Sequence, residues 1–190
     1  MTIQDVCFHH PKKEELVYIL KNNFSHTQKA MSAHLLLGKE PTNAELCAII
    51  EYAPPKWKII AAKALLEKKP NGEEICFILK YGMEESQKQA AEIIFKDLPY
   101  KDYLMRVIKY APFKIKISAA EILLQLKDVG NDELQVIISL KHPIKDLAIE
   151  KAFSLIPNNS TLHVIIDHGN EDQKNRAEKI LEKRFFKKKK

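Results

Sequence analysis

PTNAELCAIIEYAPPKWKIIAAKALLEKK, residues 41–69, recurs along the chain at a spacing of 29 residues. Pro41, Pro70 and Pro99 open successive units and Pro157 opens a later one. One apolar column reads Val17, Leu46, Ile75, Leu104, Leu162. Three residues on, the column is Leu20, Ile49, Ile78, Val107, Val136, Ile165, and beside it run Lys21, Ile50, Leu79, Ile108, Ile137, Ile166. A small-residue column holds Ser32, Ala61, Ala90, Ala119, Ala148, Ala177, and another Leu36, Leu65, Ile94, Leu123, Ala152, Leu181. The units are 12–40, 41–69, 70–98, 99–127, 128–156 and 157–185.

Each unit reads as two helices. In 44–53 the apolar residues Leu46, Ile49, Ile50 and Ala53 keep the three-and-four spacing of one helical face. In 56–67 Ile59, Ala61, Ala62, Leu65 and Leu66 do the same. Pro54 and Pro55 lie between them, and proline has no N–H for a helix interior, so the first helix ends there. Gly82, Pro112 and Pro143 are expected to end the first helices of the third, fourth and fifth units, and Asn71 and Asn131 to be N-caps.

A two-helix unit this short cannot bury its apolar face alone, whereas stacked units can. The small-residue column marks where second helices approach most closely. The expected fold is therefore all-α, a solenoid of six 29-residue repeats over 12–185. Glu178 and Glu182 stand in otherwise apolar or small columns and suit a polar C-terminal cap. Residues 1–11 precede the first unit, and Ile3, Val6, Cys7 and Phe8 are expected to lie over its apolar edge as a short extra helix.

Composition narrows the function. No stretch reaches the roughly 20 apolar residues of a membrane span, and the N-terminus lacks a signal-peptide pattern. Three cysteines, an odd number, suit a reducing, cytoplasmic setting. Of 31 basic residues, Lys183, Arg184, Lys187, Lys188, Lys189 and Lys190 supply six; the remaining 25 match 25 acidic residues, so the body is formally neutral and the charge of +6 belongs to the tail.

The segments WKIIAAKALL, 57–66, and IKISAAEILL, 115–124, resemble the second helix of HEAT repeats, in particular the short HEAT-like type of about 30 residues: apolar, basic, two small residues, then leucine. The basic position is Lys29, Lys58, Lys116, Lys145 and Lys174, with Gln87 in the third unit. The resemblance covers about 12–185 and implies a right-handed αα-superhelix used for binding. It departs from the family in the inter-helix turn, where an aspartate commonly supports the basic residue; here only Asp172 falls in such a turn.

The lysine column has two readings: stems laid along a neighbouring unit with ammonium groups on loop carbonyls or solvent, or a ridge facing an acidic partner. Tyr52, Tyr81 and Tyr110 form a second column, expected to pack their rings under the turns; Trp57 is expected to be partly buried. Cys7, His9 and His10 form the one cluster with metal-ligand chemistry but lack the spaced pairs of a structural zinc site. No catalytic or cofactor motif is present, so neither a catalytic residue nor a cofactor is expected.

The expectation is a non-enzymatic, mainly monomeric scaffold that binds a protein segment on a concave second-helix surface. The residues expected to carry it are Lys63, Glu67, Glu92, Lys96, Glu121 and Gln125, with Lys58, Lys116 and Lys145 of the lysine column. The alternative is a nucleic-acid-binding HEAT-like protein, either resembling the DNA glycosylases of this type or binding polyanions through Lys183, Arg184, Lys187, Lys188, Lys189 and Lys190. As a tail, 183–190 would be solvated, able to bind nucleic acid or an anionic surface weakly, and its deletion would leave the melting curve nearly unchanged. A glycosylase needs a basic concave stripe and grouped aromatic and acidic residues, which the neutral body and single tryptophan do not favour. A lyase or hydroxylase of HEAT-like type would need grouped His and Glu ligands in paired repeats, and the sequence shows none.

Overall fold

The computed structural model describes residues 11–187, and among them the chain is all-α, with twelve helices and no strand. They are α1 (Lys13–Lys21), α2 (His26–Leu37), α3 (Asn43–Tyr52), α4 (Pro55–Glu67), α5 (Gly72–Tyr81), α6 (Glu84–Asp97), α7 (Lys101–Tyr110), α8 (Phe113–Gln125), α9 (Asn131–Ile138), α10 (Ile144–Ser154), α11 (Asn159–His168) and α12 (Glu171–Lys187). The expected N-terminal helix over residues 2–10 lies outside the described residues.

Helix starts follow local capping chemistry. Thr42 Oγ1 accepts from the Glu45 N–H (3.3 Å) while the Glu45 carboxylate accepts from the Thr42 N–H (2.7 Å). Asn71 and Glu74 make the same reciprocal pair at 3.0 and 2.9 Å. Each pair satisfies two backbone donors that the first turn leaves without helical partners. Ahead of the odd-numbered helices the N-caps are Lys12, Thr42, Asn71, Tyr100, Gly130 and Asn158, so the starts recur every 28 to 30 residues. Pro54 caps α4 with Pro55 as its first residue, where a missing N–H costs nothing.

The chain divides into two compact units, residues up to 115 and residues from 116 on. In the first, α1, α3, α5 and α7 pack each against the next, and α2, α4 and α6 do likewise. Each of α1, α3 and α5 also packs on the helix that follows it. The core is aliphatic: Leu46, Ile49, Ile50, Leu65, Ile78, Leu79, Ile94 and Leu104 are fully buried. Tyr103 of α7 lies so close over the first residue of α5 that any Cβ on Gly72 would collide with its hydroxyl. In the second unit α9 packs on α10 and α11, and α11 on α12. Gln173 of α12 donates to Asp146 of α10 (3.3 Å), and Arg176 pairs with Glu150 at 3.1 Å.

The small-residue column is buried throughout: Ala61, Ala90, Ala119, Ala148 and Ala177 are inaccessible, and Ser32 nearly so. The strict 29-residue register, however, breaks in the first unit, where Leu16 and Ile19 are buried while Val17 is half-buried and Lys21 exposed, and again in the fifth. There Val136 is 38 % exposed, while Leu134 and Ile137 are fully buried. Gly130 caps a helix that begins 30 residues after the preceding N-cap, so the buried face moves one residue along; the next start, 28 residues on, restores the register. Asn131 is consequently not the N-cap. The Glu133 carboxylate accepts from the Gly130 N–H (2.8 Å), and Asn131 Oδ1 instead accepts from the Thr161 hydroxyl (2.9 Å) and the Asn158 N–H (3.2 Å). Nor does α9 run on to Pro143; it stops at Ile138, and Pro143 is the N-cap of α10.

Three connections between units pass through the left-handed region at non-glycine residues in one column: Glu40 (φ 50°), Lys69 (φ 53°) and Ile156 (φ 59°). Ile156 is the strained one, because a β-branched side chain crowds its own backbone there. It is also 77 % exposed, so little burial opposes a change. Ile156→Gly is expected to stabilise the protein by about 1 kcal/mol; a lower urea midpoint in the variant would show that the side chain is held by contacts outweighing the strain.

Glu45 ties α1 to α3, its carboxylate lying 3.2 Å from Lys13 Nζ. Burial alone would raise its pKa, but hydrogen bonds from Thr42 and Lys13 outweigh burial and hold it below the usual 4.5. A lowered folded value means the ionised carboxylate stabilises the fold above the unfolded value and ceases to as pH falls through the folded one. Stability should therefore fall more steeply below pH 4.5 in the parent than in Glu45→Gln, read as Tm against pH; parallel curves would remove Glu45 as a contributor.

Candidate functional site

The lysine column meets helix ends. Lys58 Nζ donates to the Glu51 carbonyl of α3 at 2.9 Å, and Gln87 Nε2 to the Leu79 carbonyl of α5 at 2.8 Å. Lys145 Nζ donates to the His168 carbonyl of α11 at 2.7 Å. These carbonyls belong to last turns, where no helical N–H remains to satisfy them. Burial holds the Lys58 ammonium below the usual lysine range, and the Glu51 charge only partly opposes this. At these positions the lysine or glutamine side chain finds its acceptor on the backbone rather than on a turn aspartate. Of the lysine-column residues expected to face a partner, Lys58 and Lys145 are engaged within the fold and Lys116 is half-buried.

Tyr52, Tyr81 and Tyr110 close α3, α5 and α7 and are half-buried. A lysine ammonium lies over each ring: Lys29 at 6.0 Å, Lys80 at 4.6 Å and Lys109 at 5.2 Å. Each ring therefore has a cation near one of its faces. Trp57 is half-buried, with its ring 5.2 Å from that of His34.

Open surface lies elsewhere on the second helices. Lys63 and Glu67 on α4, Glu92 and Lys96 on α6, and Glu121 and Gln125 on α8 are all exposed. Lys63 and Glu67 join Ile59 and Leu66 along one wall of an open trough of about 350 Å³ whose other wall is Glu85, Ser86 and Gln89 of α6. Glu85 also lines a second cleft, of about 640 Å³, with Glu84 and Lys88 of α6 and Pro112, Phe113, Lys114 and Ile115 around the start of α8. The two clefts therefore share Glu85. Ile59 is 47 % and Phe113 52 % exposed, so the surface is apolar as well as charged.

The helical spacing places Ile59 on the buried face, and Phe113, Glu85 and Gln89 are not among the residues expected to bind a partner. A signal was present: the column of Ile59 continues as Lys88, Ile117, Asp146 and Asn175, a mixture that fits solvent better than core.

Lys183 and Arg184 lie inside α12, which runs to Lys187. Arg184 donates to the Pro157 carbonyl and to Asn159 Oδ1, both at 2.8 Å. Deletion of 183–190 would remove those bonds, so the expected unchanged melting curve does not follow for that cut. Lys188, Lys189 and Lys190 lie outside the described residues. Glu178 and Glu182 are exposed.

Cys47 and Cys76 are free thiols, Cys47 half-buried and Cys76 buried. Burial, with the Glu74 and Glu51 charges adding, pushes the Cys47 thiol up to about 11, so it is protonated at neutral pH and a poor nucleophile. Among the described residues no group of three or more His, Cys, Asp or Glu side chains is arranged to hold a metal, and no helix is long and apolar enough to cross a membrane. The Cys7, His9 and His10 cluster lies outside the described residues.

No family model, no curated protein and no solved structure matches the chain.

Proposed function

We propose that this chain is a non-enzymatic αα-repeat scaffold of HEAT-like type. In this reading residues 12–185 form six two-helix units in a right-handed superhelix, and a protein segment binds the outward side of the second helices. The observation that carries the reading is the trough between α4 and α6. It combines the exposed Ile59 and the half-buried Leu66 with Lys63, Glu67, Glu85 and Gln89. A surface of mixed sign suits a polypeptide with its own pattern of charges better than a uniform polyanion. The engagement of Lys58 and Lys145 with helix-end carbonyls also leaves less basic surface for nucleic acid. The free thiols suit a reducing compartment.

The test is an affinity capture from native lysate with and without nuclease, using the full chain, residues 1–185, and the double variant Lys63→Glu/Glu67→Lys. The cut after Phe185 keeps Arg184 and its bonds to Pro157 and Asn159. The expected result is a discrete protein, retained by 1–185 after nuclease treatment and lost with the double variant. Recovery that needs 186–190 and disappears with nuclease would overturn the scaffold reading in favour of polyanion binding.

A further inference from the structure

The connection from α10 to α11 leaves two large apolar side chains in solvent: Leu155 is 44 % exposed and Ile156 77 %. Phe185 of α12 stands 29 residues after Ile156, in the same column of the next unit, and is 62 % exposed. Arg184 brings the two places together. Its guanidinium donates to the Pro157 carbonyl and to Asn159 Oδ1, so the last turn before Phe185 lies beside the residues that follow Ile156.

Ile156 has no reason in the fold to be an isoleucine. Its backbone is left-handed (φ 59°), where a β-branched side chain is strained, and the equivalent connections place the polar Glu40 and Lys69 there. A strained residue whose side chain packs on little points to a use for that side chain outside the fold.

The surrounding charge says what kind of partner it meets. Residues 182–190 hold six basic residues and one acidic residue, Glu182, on a chain otherwise balanced in charge. Lys127, which precedes Ile156 in the column, and Lys183 are exposed. Apolar side chains that project from the surface need a medium that yields to admit them, and lysines need an anionic one. An anionic bilayer supplies both, with acyl chains beneath negatively charged headgroups. Duplex nucleic acid supplies the charge but admits an aliphatic side chain only where bases unstack.

We propose that Leu155, Ile156 and Phe185 enter the headgroup–acyl boundary of an anionic membrane, with Lys183 and the lysines at 187–190 on its headgroups. This contact goes beyond the scaffold reading and does not depend on the α4–α6 trough.

The experiment is co-sedimentation of the full chain with vesicles of phosphatidylcholine and phosphatidylserine, with vesicles of phosphatidylcholine alone as the control. The parent should bind the mixed vesicles, less tightly as salt rises, and the control vesicles far less. Ile156→Gly and Phe185→Ser should each weaken binding about tenfold, while Ile156→Leu stays close to the parent. Both positions are exposed, so neither substitution opens the core. Ile156→Gly also separates binding from folding, because its urea midpoint should rise while its vesicle binding falls. Failure to bind the mixed vesicles overturns the assignment. So does binding that Ile156→Gly and Phe185→Ser leave unchanged, which would be a contact of the lysines alone. Preference for duplex DNA over the vesicles in direct competition overturns it as well.

Discussion

Leu65→Ala is expected to destabilise the protein by about 2–5 kcal/mol. Leu65 sits in α4, fully buried, in the column shared with Leu36, Ile94, Leu123, Ala152 and Leu181. It lies in a helix that contacts α2, α3 and α6, so truncation removes side-chain contacts and leaves a void walled on several sides. The loss combines transfer free energy with a cavity term that grows as the surroundings fail to close. Leu181 is the internal comparison. It occupies the same column in α12 but is 7 % exposed, so Leu181→Ala should cost less. Urea unfolding of both variants checks this through the shift in midpoint at unchanged m. Equal losses, or a loss under 1 kcal/mol at Leu65, would show that the α4 site collapses around the smaller side chain.

Ala90→Leu should also destabilise, by about 1–3 kcal/mol, for the opposite reason. Ala90 is inaccessible on α6, and α6 packs on α4. A leucine there adds three carbons where facing helices leave room for a methyl group, so it must adopt a poor rotamer or push the helices apart. Ser32 marks what the column accepts. It is buried, and its hydroxyl has no hydrogen-bond partner among the described residues, so one extra heavy atom fits even without a compensating bond. Glu92→Leu, an exposed position on the same helix, controls for helix propensity and should shift the midpoint little. A neutral Ala90→Leu would mean the second helices are not closely packed there. Because α4 and α6 form the trough walls, the Ala90 variant should also weaken any ligand of that trough, whereas Leu181→Ala should not.

The helices, most of their ends and most of the core can be read from the residues alone. That much is legible because helix formation and burial follow from neighbours in the chain. A helix buries the face set by its own three-and-four spacing, and Thr42 with Glu45, or Asn71 with Glu74, cap a helix three residues away. Even the one-residue slip before α9 left a trace, since Glu133 stands where other units carry an aliphatic residue and Leu134 follows it. The remainder depends on distances between helices far apart in sequence. Nothing local shows that Lys145 reaches the end of α11, or that Arg184 folds back on Pro157. Nor does anything local bring Glu85 and Gln89 opposite Ile59 and Lys63 to make one trough. Repeating columns state which side of a helix faces inward, and the packing of one helix on the next states which outward side chains meet.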